Sequence, residues 1–120
     1  DLYGCEEGTL NDLELIYSFL ENLVVKLGMN SFSPPFVIHG PRDSDGNELY
    51  PDKEGVSGMI FLIESSIVIH TIIPKRFVSI DVYTCGDLNT NDVEQYIRDI
   101  FKPTAIQSAL IERGVNYNDN

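Results

Sequence analysis

Apolar residues recur at intervals of three and four through the first part of the chain. Leu13, Ile16, Leu20, Leu23, Val24 and Leu27 share one side of a 3.6-residue period, which predicts an amphipathic helix from about Thr9 to Leu27. Thr9 is the expected N-cap, Asp12 sits in the first turn, and Gly28 supplies a left-handed stop. Leu2 and Tyr3, just upstream, read as the tail of a strand. After a break at Ser33-Pro34-Pro35, Phe36 to His39 has the length and content of a short strand. From Val56 to Cys85 the pattern is that of β structure. Met59 to Ile63 is nearly continuous apolar sequence, Ile67 and Ile69 alternate with Val68 and His70, and Phe77 to Tyr83 follows a break at Pro74-Lys75-Arg76. Links this short require antiparallel pairing, since parallel neighbours need long crossovers.

A second amphipathic helix is predicted from about Thr90 to Phe101, with Val93, Ile97, Ile100 and Phe101 inward and Lys102-Pro103 as its stop. Ala105 to Ile111 reads as a last strand, and Asn116 to Asn120 as a frayed polar tail. The order β-α-β-β-β-β-α-β predicts an α+β two-layer sandwich, an antiparallel sheet with both helices packed on one face. Gly40 to Gly55 is a loop by composition, and a loop of that length in a small domain is functional or mobile. Neither of its flanks is large enough to fold alone, so residues 1–120 are read as one domain.

Charge narrows the partners. The chain carries 19 acidic against 8 basic residues, a formal net charge of −11, which argues against nucleic acid and anionic membranes, both polyanions. A cationic small molecule suits such a surface, although acidity by itself only keeps a protein soluble. No apolar run reaches the roughly 18 residues of a membrane span, and no signal-peptide pattern opens the chain. It starts at Asp1 without a methionine, so a short N-terminal piece is expected to precede it. The two cysteines, Cys5 and Cys85, are read as reduced thiols of a cytoplasmic protein. They do not cluster in sequence with His39 and His70, so no metal site is expected.

The candidate chemistry lies in polar residues set among apolar ones. Glu64, Ser65 and Ser66 interrupt the β stretch, His70 and Thr71 end the next strand, and Cys85 sits just past a strand end in Thr84-Cys85-Gly86. Polar groups in such places must be satisfied or used. Taken singly, His70 reads as a hydrogen-bonded structural histidine and Cys85 as a small buried filler. Taken together, Gly55-Val56-Ser57-Gly58, Glu64-Ser65, Ile69-His70-Thr71 and Asp81-Val82-Tyr83-Thr84-Cys85-Gly86 resemble the prokaryotic S-adenosylmethionine decarboxylase family, with ungapped spacing between the blocks. Asp1-Leu2-Tyr3-Gly4-Cys5 and Glu112-Arg113-Gly114 extend the resemblance over nearly the whole chain.

That resemblance implies a proenzyme that cleaves itself between Glu64 and Ser65 and carries a covalent pyruvoyl group derived from Ser65. It implies that the Ser65 hydroxyl attacks the preceding carbonyl, that Ser57 hydrogen-bonds the adduct's oxygen, and that His70 removes the α-proton before β-elimination. The pyruvoyl ketone would form a Schiff base with the substrate amine and accept the electrons released with CO₂, and Cys85 would return a proton to the substrate carbon. The implied product feeds spermidine synthesis, and the implied assembly is a homodimer with its active sites close to the interface. A sheet with helices on one face also leaves a face or an edge that needs cover.

Two departures bear on the substrate. Family members usually carry histidine where this chain has Ser66, and Trp-Pro-Glu where it has Ile72-Ile73-Pro74-Lys75. That glutamate is expected to hold the ribose hydroxyls. The segment before Gly55 is also about a dozen residues longer than usual for the family. The leading expectation is decarboxylation of S-adenosylmethionine. The alternatives are a pyruvoyl-dependent arginine or ornithine decarboxylase of the same fold, or a non-catalytic homologue acting as a regulatory partner. All the substrates are cations. Phe36 or Tyr3 would suit a sulfonium, and Glu6, Asp43, Asp45 or Glu48 a guanidinium or ammonium.

Overall fold

In a computed structural model describing residues 1–116, the chain forms six strands and two α-helices. They run β1 (Leu2–Tyr3), α1 (Leu13–Lys26), β2 (Phe36–His39), β3 (Val56–Leu62), β4 (Ser65–Ile72), β5 (Phe77–Tyr83), α2 (Thr90–Phe101) and β6 (Ala105–Ile106). The strands make one sheet in the order β2-β3-β4-β5-β1-β6, with every pair antiparallel. This is the α+β architecture expected from the element order.

One face of the sheet is covered by the helices. Ile16, Phe19, Leu20, Leu23 and Val24 of α1 and Val93, Ile97 and Phe101 of α2 are buried against Val56, Ile60, Leu62, Ile67, Ile69 and Val78. Each fully buried side chain of this kind stabilises the fold by roughly 1.5–3 kcal/mol before ordering costs are counted. Phe19 joins the two helices, stacked on Tyr96 at 5.5 Å and edge-on to Phe101 at 5.1 Å. It widens the stripe that the three-four spacing outlines.

The other face is open. Strand alternation and register bring Phe36 and Ile38, Ser57, Met59 and Phe61, Ser66, Val68, His70 and Ile72, and Ser79, Asp81 and Tyr83 onto it. Phe36, Ile38 and Phe61 are 48–60% exposed there, an unusually apolar surface for a sheet to leave uncovered.

Two expectations are corrected. Helix α1 begins at Leu13 with Asp12 as its cap, whose carboxylate accepts from Leu15 N–H at 3.1 Å. Thr9 instead closes a separate 3-10 turn, Glu7–Thr9, donating its hydroxyl to the Glu6 carbonyl. The chain bends between the two candidate caps because Leu10 is drawn fully into the core. The last strand is only two residues long, and Leu110 and Ile111 stand exposed beyond it. Gly28 does follow α1 at φ +67°, the left-handed stop anticipated. The frayed tail read at Asn116 to Asn120 lies, from residue 117 on, outside the described residues.

Candidate active site

The Gly-Val-Ser-Gly block is explained by two close approaches. A Cβ at Gly55 would lie 1.7 Å from the Thr71 carbonyl oxygen, so only glycine lets the long loop meet β4 here. A Cβ at Gly58 would press at 3.1 Å on both Leu20 and Ile69, where α1 packs flat on β3. Thr71 is the buried polar residue that this junction satisfies. Its hydroxyl donates to the Leu10 carbonyl at 2.7 Å and accepts from Val56 N–H at 2.9 Å. The glycines thus place Ser57 rigidly on the open face.

Ser57 lies directly across the β3–β4 ladder from His70, and their side chains meet, Oγ to Nδ1, at 2.9 Å. A cavity of about 310 Å³ opens beside this pair, lined also by Glu48, Tyr50, Lys53 and Ile72. Glu48, Tyr50 and Lys53 come from the loop read as functional or mobile. Part of that loop is pinned: Asp43 accepts from the Asp45 and Asn47 amides, and Arg42 Nη2 lies 2.5 Å from Glu48 Oε1.

The second polar group gathers at the other end of the same strands, with Ser66 and Tyr83 on the open face and Ser65, by the alternation of β4, on the helix side with Leu62 and Ile67. Ile63 and Glu64 form a two-residue turn between β3 and β4, with Leu62 paired to Ser65. Glu64 takes φ +57°, a left-handed conformation costing a non-glycine residue roughly 1–2 kcal/mol. Ser65 follows at the head of β4, half-buried, and Ser66 pairs with Tyr83 at the end of β5. Tyr83 Oη lies 3.6 Å from Cys85 Sγ, and Arg113 Cζ lies 4.7 Å from the centre of the Tyr83 ring. The hydrogen bond and the charge of Cys85 push the Tyr83 phenol above its ordinary range, Glu64 adds to this, and Arg113 opposes it.

Four residue steps along β4, from Ser66 to His70, separate the groups, a rise of roughly 14 Å at about 3.4 Å per residue. Within one chain the structure therefore brings Ser57 to His70, and Ser65 and Glu64 to the Tyr83–Cys85 end, but does not bring the two groups together. The period-two alternation of β5 puts Tyr83 on the face of Ser79 and Asp81, within the Asp81 to Gly86 block that ends the site. Arg113 belongs to the Glu112-Arg113-Gly114 block, but its contact with Tyr83, 30 residues upstream, is set by the fold and not by any local pattern.

The other residues proposed for substrate contact divide. Glu48 lines the cavity, and Phe36 is on the open face. Tyr3 packs on Phe77 with its hydroxyl near Gln107, and Glu6 faces Lys102, so both are engaged elsewhere. Asp43 is occupied in holding its own loop. Cys5 is buried in the core and Cys85 is exposed, both as free thiols. Among the described residues no helix is long and apolar enough to cross a membrane.

Residues 1–114 match the family described as S-adenosylmethionine decarboxylase. The S-adenosylmethionine decarboxylase proenzyme of Bacillus velezensis is 32% identical over 115 residues, covering 96% of this chain and 82% of that protein. The proenzyme of the same name from Persephonella marina is 35% identical over 115 residues, covering 95% and 77%. The crystal structure of the adenosylmethionine decarboxylase from Aquifex aeolicus superposes with a TM-score of 0.74 at 26% identity, covering 95% of this chain and 85% of that one. With the fold, the four sequence blocks and the relatives in agreement, the chain belongs to the S-adenosylmethionine decarboxylase family.

Proposed function

We propose that this chain is a self-cleaving, pyruvoyl-dependent decarboxylase of S-adenosylmethionine. The observation that carries the reading is the state of the Glu64–Ser65 junction, a strained left-handed residue followed by a half-buried serine in a tight turn. Attack of Ser65 Oγ on the Glu64 carbonyl forms a C–O bond and breaks the C–N bond, which releases that strain. His70 then takes the α-proton of residue 65, and the upstream chain leaves as a carboxylate at Glu64. Hydrolysis of the remaining dehydroalanine gives the pyruvoyl group. Ser57 serves both steps if His70 Nδ1–H donates to its oxygen. This leaves Nε2 with the basic lone pair, and the serine O–H free to donate to the oxyanion.

Ser65 fits the role of pyruvoyl precursor because it heads β4, so cleavage makes it a new chain start at the end of the sheet that leads into Cys85. The group supplies an electron sink for the bond to CO₂. Cys85, exposed at that end, is the proton donor to the substrate carbon. The cavity beside His70 offers the Tyr50 ring to a cationic substrate, while Glu48 in its wall is already paired with Arg42. A basic amino acid is the second substrate reading, because Ile72 lines the cavity and the adjoining segment has no carboxylate.

The working unit is a symmetric homodimer joined through the open sheet faces. What supports this is the separation of the two polar groups together with the exposure of Phe36, Ile38 and Phe61. Face-to-face sheets pack about 10 Å apart. A twofold axis passing near Val68, midway between Ser66 and His70, lays Ser57 and His70 of the partner subunit over the Ser65–Cys85 end of the first. The testing experiment combines intact mass with CO₂ release. Purified protein should appear as two fragments divided after Glu64, the second blocked to Edman degradation. It should release label from carboxyl-labelled S-adenosylmethionine faster than from arginine or ornithine. A single uncleaved chain that evolves no CO₂ would sink the reading, and a higher kcat/KM for arginine or ornithine would transfer it to the second substrate class.

A further inference from the structure

We infer that Tyr83, held in place by Arg113, is a positioning residue for the Cys85 thiol. Cys85 lies past the end of β5 on a bend, exposed, where the neighbouring tie is the Gly86 N–H to Thr84 Oγ1 bond at 3.0 Å. Core packing does not fix its sulfur. The contact that does is Tyr83 Oη at 3.6 Å. Tyr83 is itself set by the sheet, since its backbone pairs with Ser66, the residue next to the proposed cleavage serine. Its ring is covered by the Arg113 guanidinium at 4.7 Å, a cation–π contact. The trailing segment beyond β6 thereby reaches back to the strand that carries the thiol.

The chemistry gives this arrangement a use, which rests on the reading of Cys85 as proton donor. When the thiol gives up its proton, the S–H bond breaks and a C–H bond forms on the substrate. The electron pair and a negative charge stay on sulfur. A phenol O–H pointing at that sulfur donates to the thiolate at the moment it forms, and the guanidinium behind the ring adds a favourable field. Solvent then restores the thiol proton, Cys85 being exposed. For this the phenol must keep its own proton. Its contact with Cys85 raises its titration, Glu64 does the same, and Arg113 opposes them. A misplaced thiol would let protonation fall on the wrong carbon, leaving an amine on the enzyme's own chain start.

The test compares fully processed Tyr83→Phe, Arg113→Ala, Arg113→Lys and Cys85→Ala with the native protein, turning over S-adenosylmethionine. The readout is the fraction of the second fragment that becomes open to Edman degradation per CO₂ released. Loss of one hydrogen bond to a charged group corresponds to about tenfold or more. Tyr83→Phe should raise the misprotonated fraction by about that factor with KM little changed, and Arg113→Ala should raise it less. Arg113→Lys, which keeps the cation, should restore most of the loss. Independently, ultraviolet titration of Cys85→Ala should show one tyrosine ionising at lower pH than in the native protein. If Cys85→Ala raises the fraction and Tyr83→Phe does not, the positioning role is overturned and the proton-donor reading survives. If Cys85→Ala leaves the fraction and rate at native values, the donor reading falls and this inference falls with it. An unmoved tyrosine titration in Cys85→Ala also overturns the contact.

Discussion

Two defective chains should repair each other if the two polar groups at opposite ends of β4 work together only across a pair of subunits. Ser65→Ala lacks the nucleophile but keeps Ser57 and His70, whereas His70→Ala lacks the base but keeps Ser65. Neither should cleave alone. Hydrogen-bonded ladders fix β4 against both neighbours, so the roughly 14 Å between the Ser66 and His70 positions cannot be closed within a chain by side-chain motion. In a mixed dimer, one of the two composite sites has Ser65 from the His70→Ala chain and an intact Ser57–His70 pair from the partner. Random pairing at equal expression puts about half of each chain type in mixed dimers. About half of the His70→Ala chains should therefore be cut after Glu64, and none of the Ser65→Ala chains. Co-expression with different affinity tags, followed by intact mass of each purified chain, reads this directly. Co-expressing Ser57→Ala with His70→Ala supplies the control, since each composite site then still lacks one member of the same pair. Absence of cleavage in verified mixed dimers would refute the cross-subunit arrangement, as would equal repair in the control pair.

Other perturbations address the proenzyme and the fold. Glu64→Asn or Glu64→Gly, which accept the left-handed conformation, should raise the stability of the uncleaved chain by up to about 1–2 kcal/mol and slow self-cleavage by up to about tenfold. Cleavage at the native rate would show that the strain at Glu64 is not released in the rate-limiting step. Thr71→Val keeps the shape but strands the Leu10 carbonyl and the Val56 N–H, both buried. At about 1–3 kcal/mol for each unpaired group, urea unfolding should show a loss of about 2–6 kcal/mol, and a loss under 1 kcal/mol would contradict the assigned bonds. Burial pushes the Cys5 thiol up, with Arg76 partly opposing. A raised folded value means its contribution to stability is whole below the unfolded thiol value, near 8.5, and is lost as pH climbs through the folded one. The urea midpoint should accordingly fall more steeply above that pH in the native protein than in Cys5→Ala, and parallel curves would discount the effect.

Much of the architecture was written in local pattern. The 3.6-residue stripe of α1, the alternation in β4 and β5, and the stop at Lys102-Pro103 are properties of neighbouring residues, so helices and strands could be placed from them. Thr9 and Asp12 are both good caps three residues apart, and only the burial of Leu10 chose between them. The length of the last strand was likewise a tertiary matter, because β6 pairs only with the two residues of β1 and has no further partner beyond them. The four site blocks were legible as residue types and spacings. Where they lie relative to one another was not. A hairpin converts sequence distance into position along a ladder, so Ser57 and His70, thirteen residues apart, become cross-strand neighbours, while Ser66 and His70, four apart, stand at opposite ends of the site. Arg113 reaches Tyr83, and through it Cys85, only because the chain returns past β6 to the end of β5, a contact between segments with no shared periodicity.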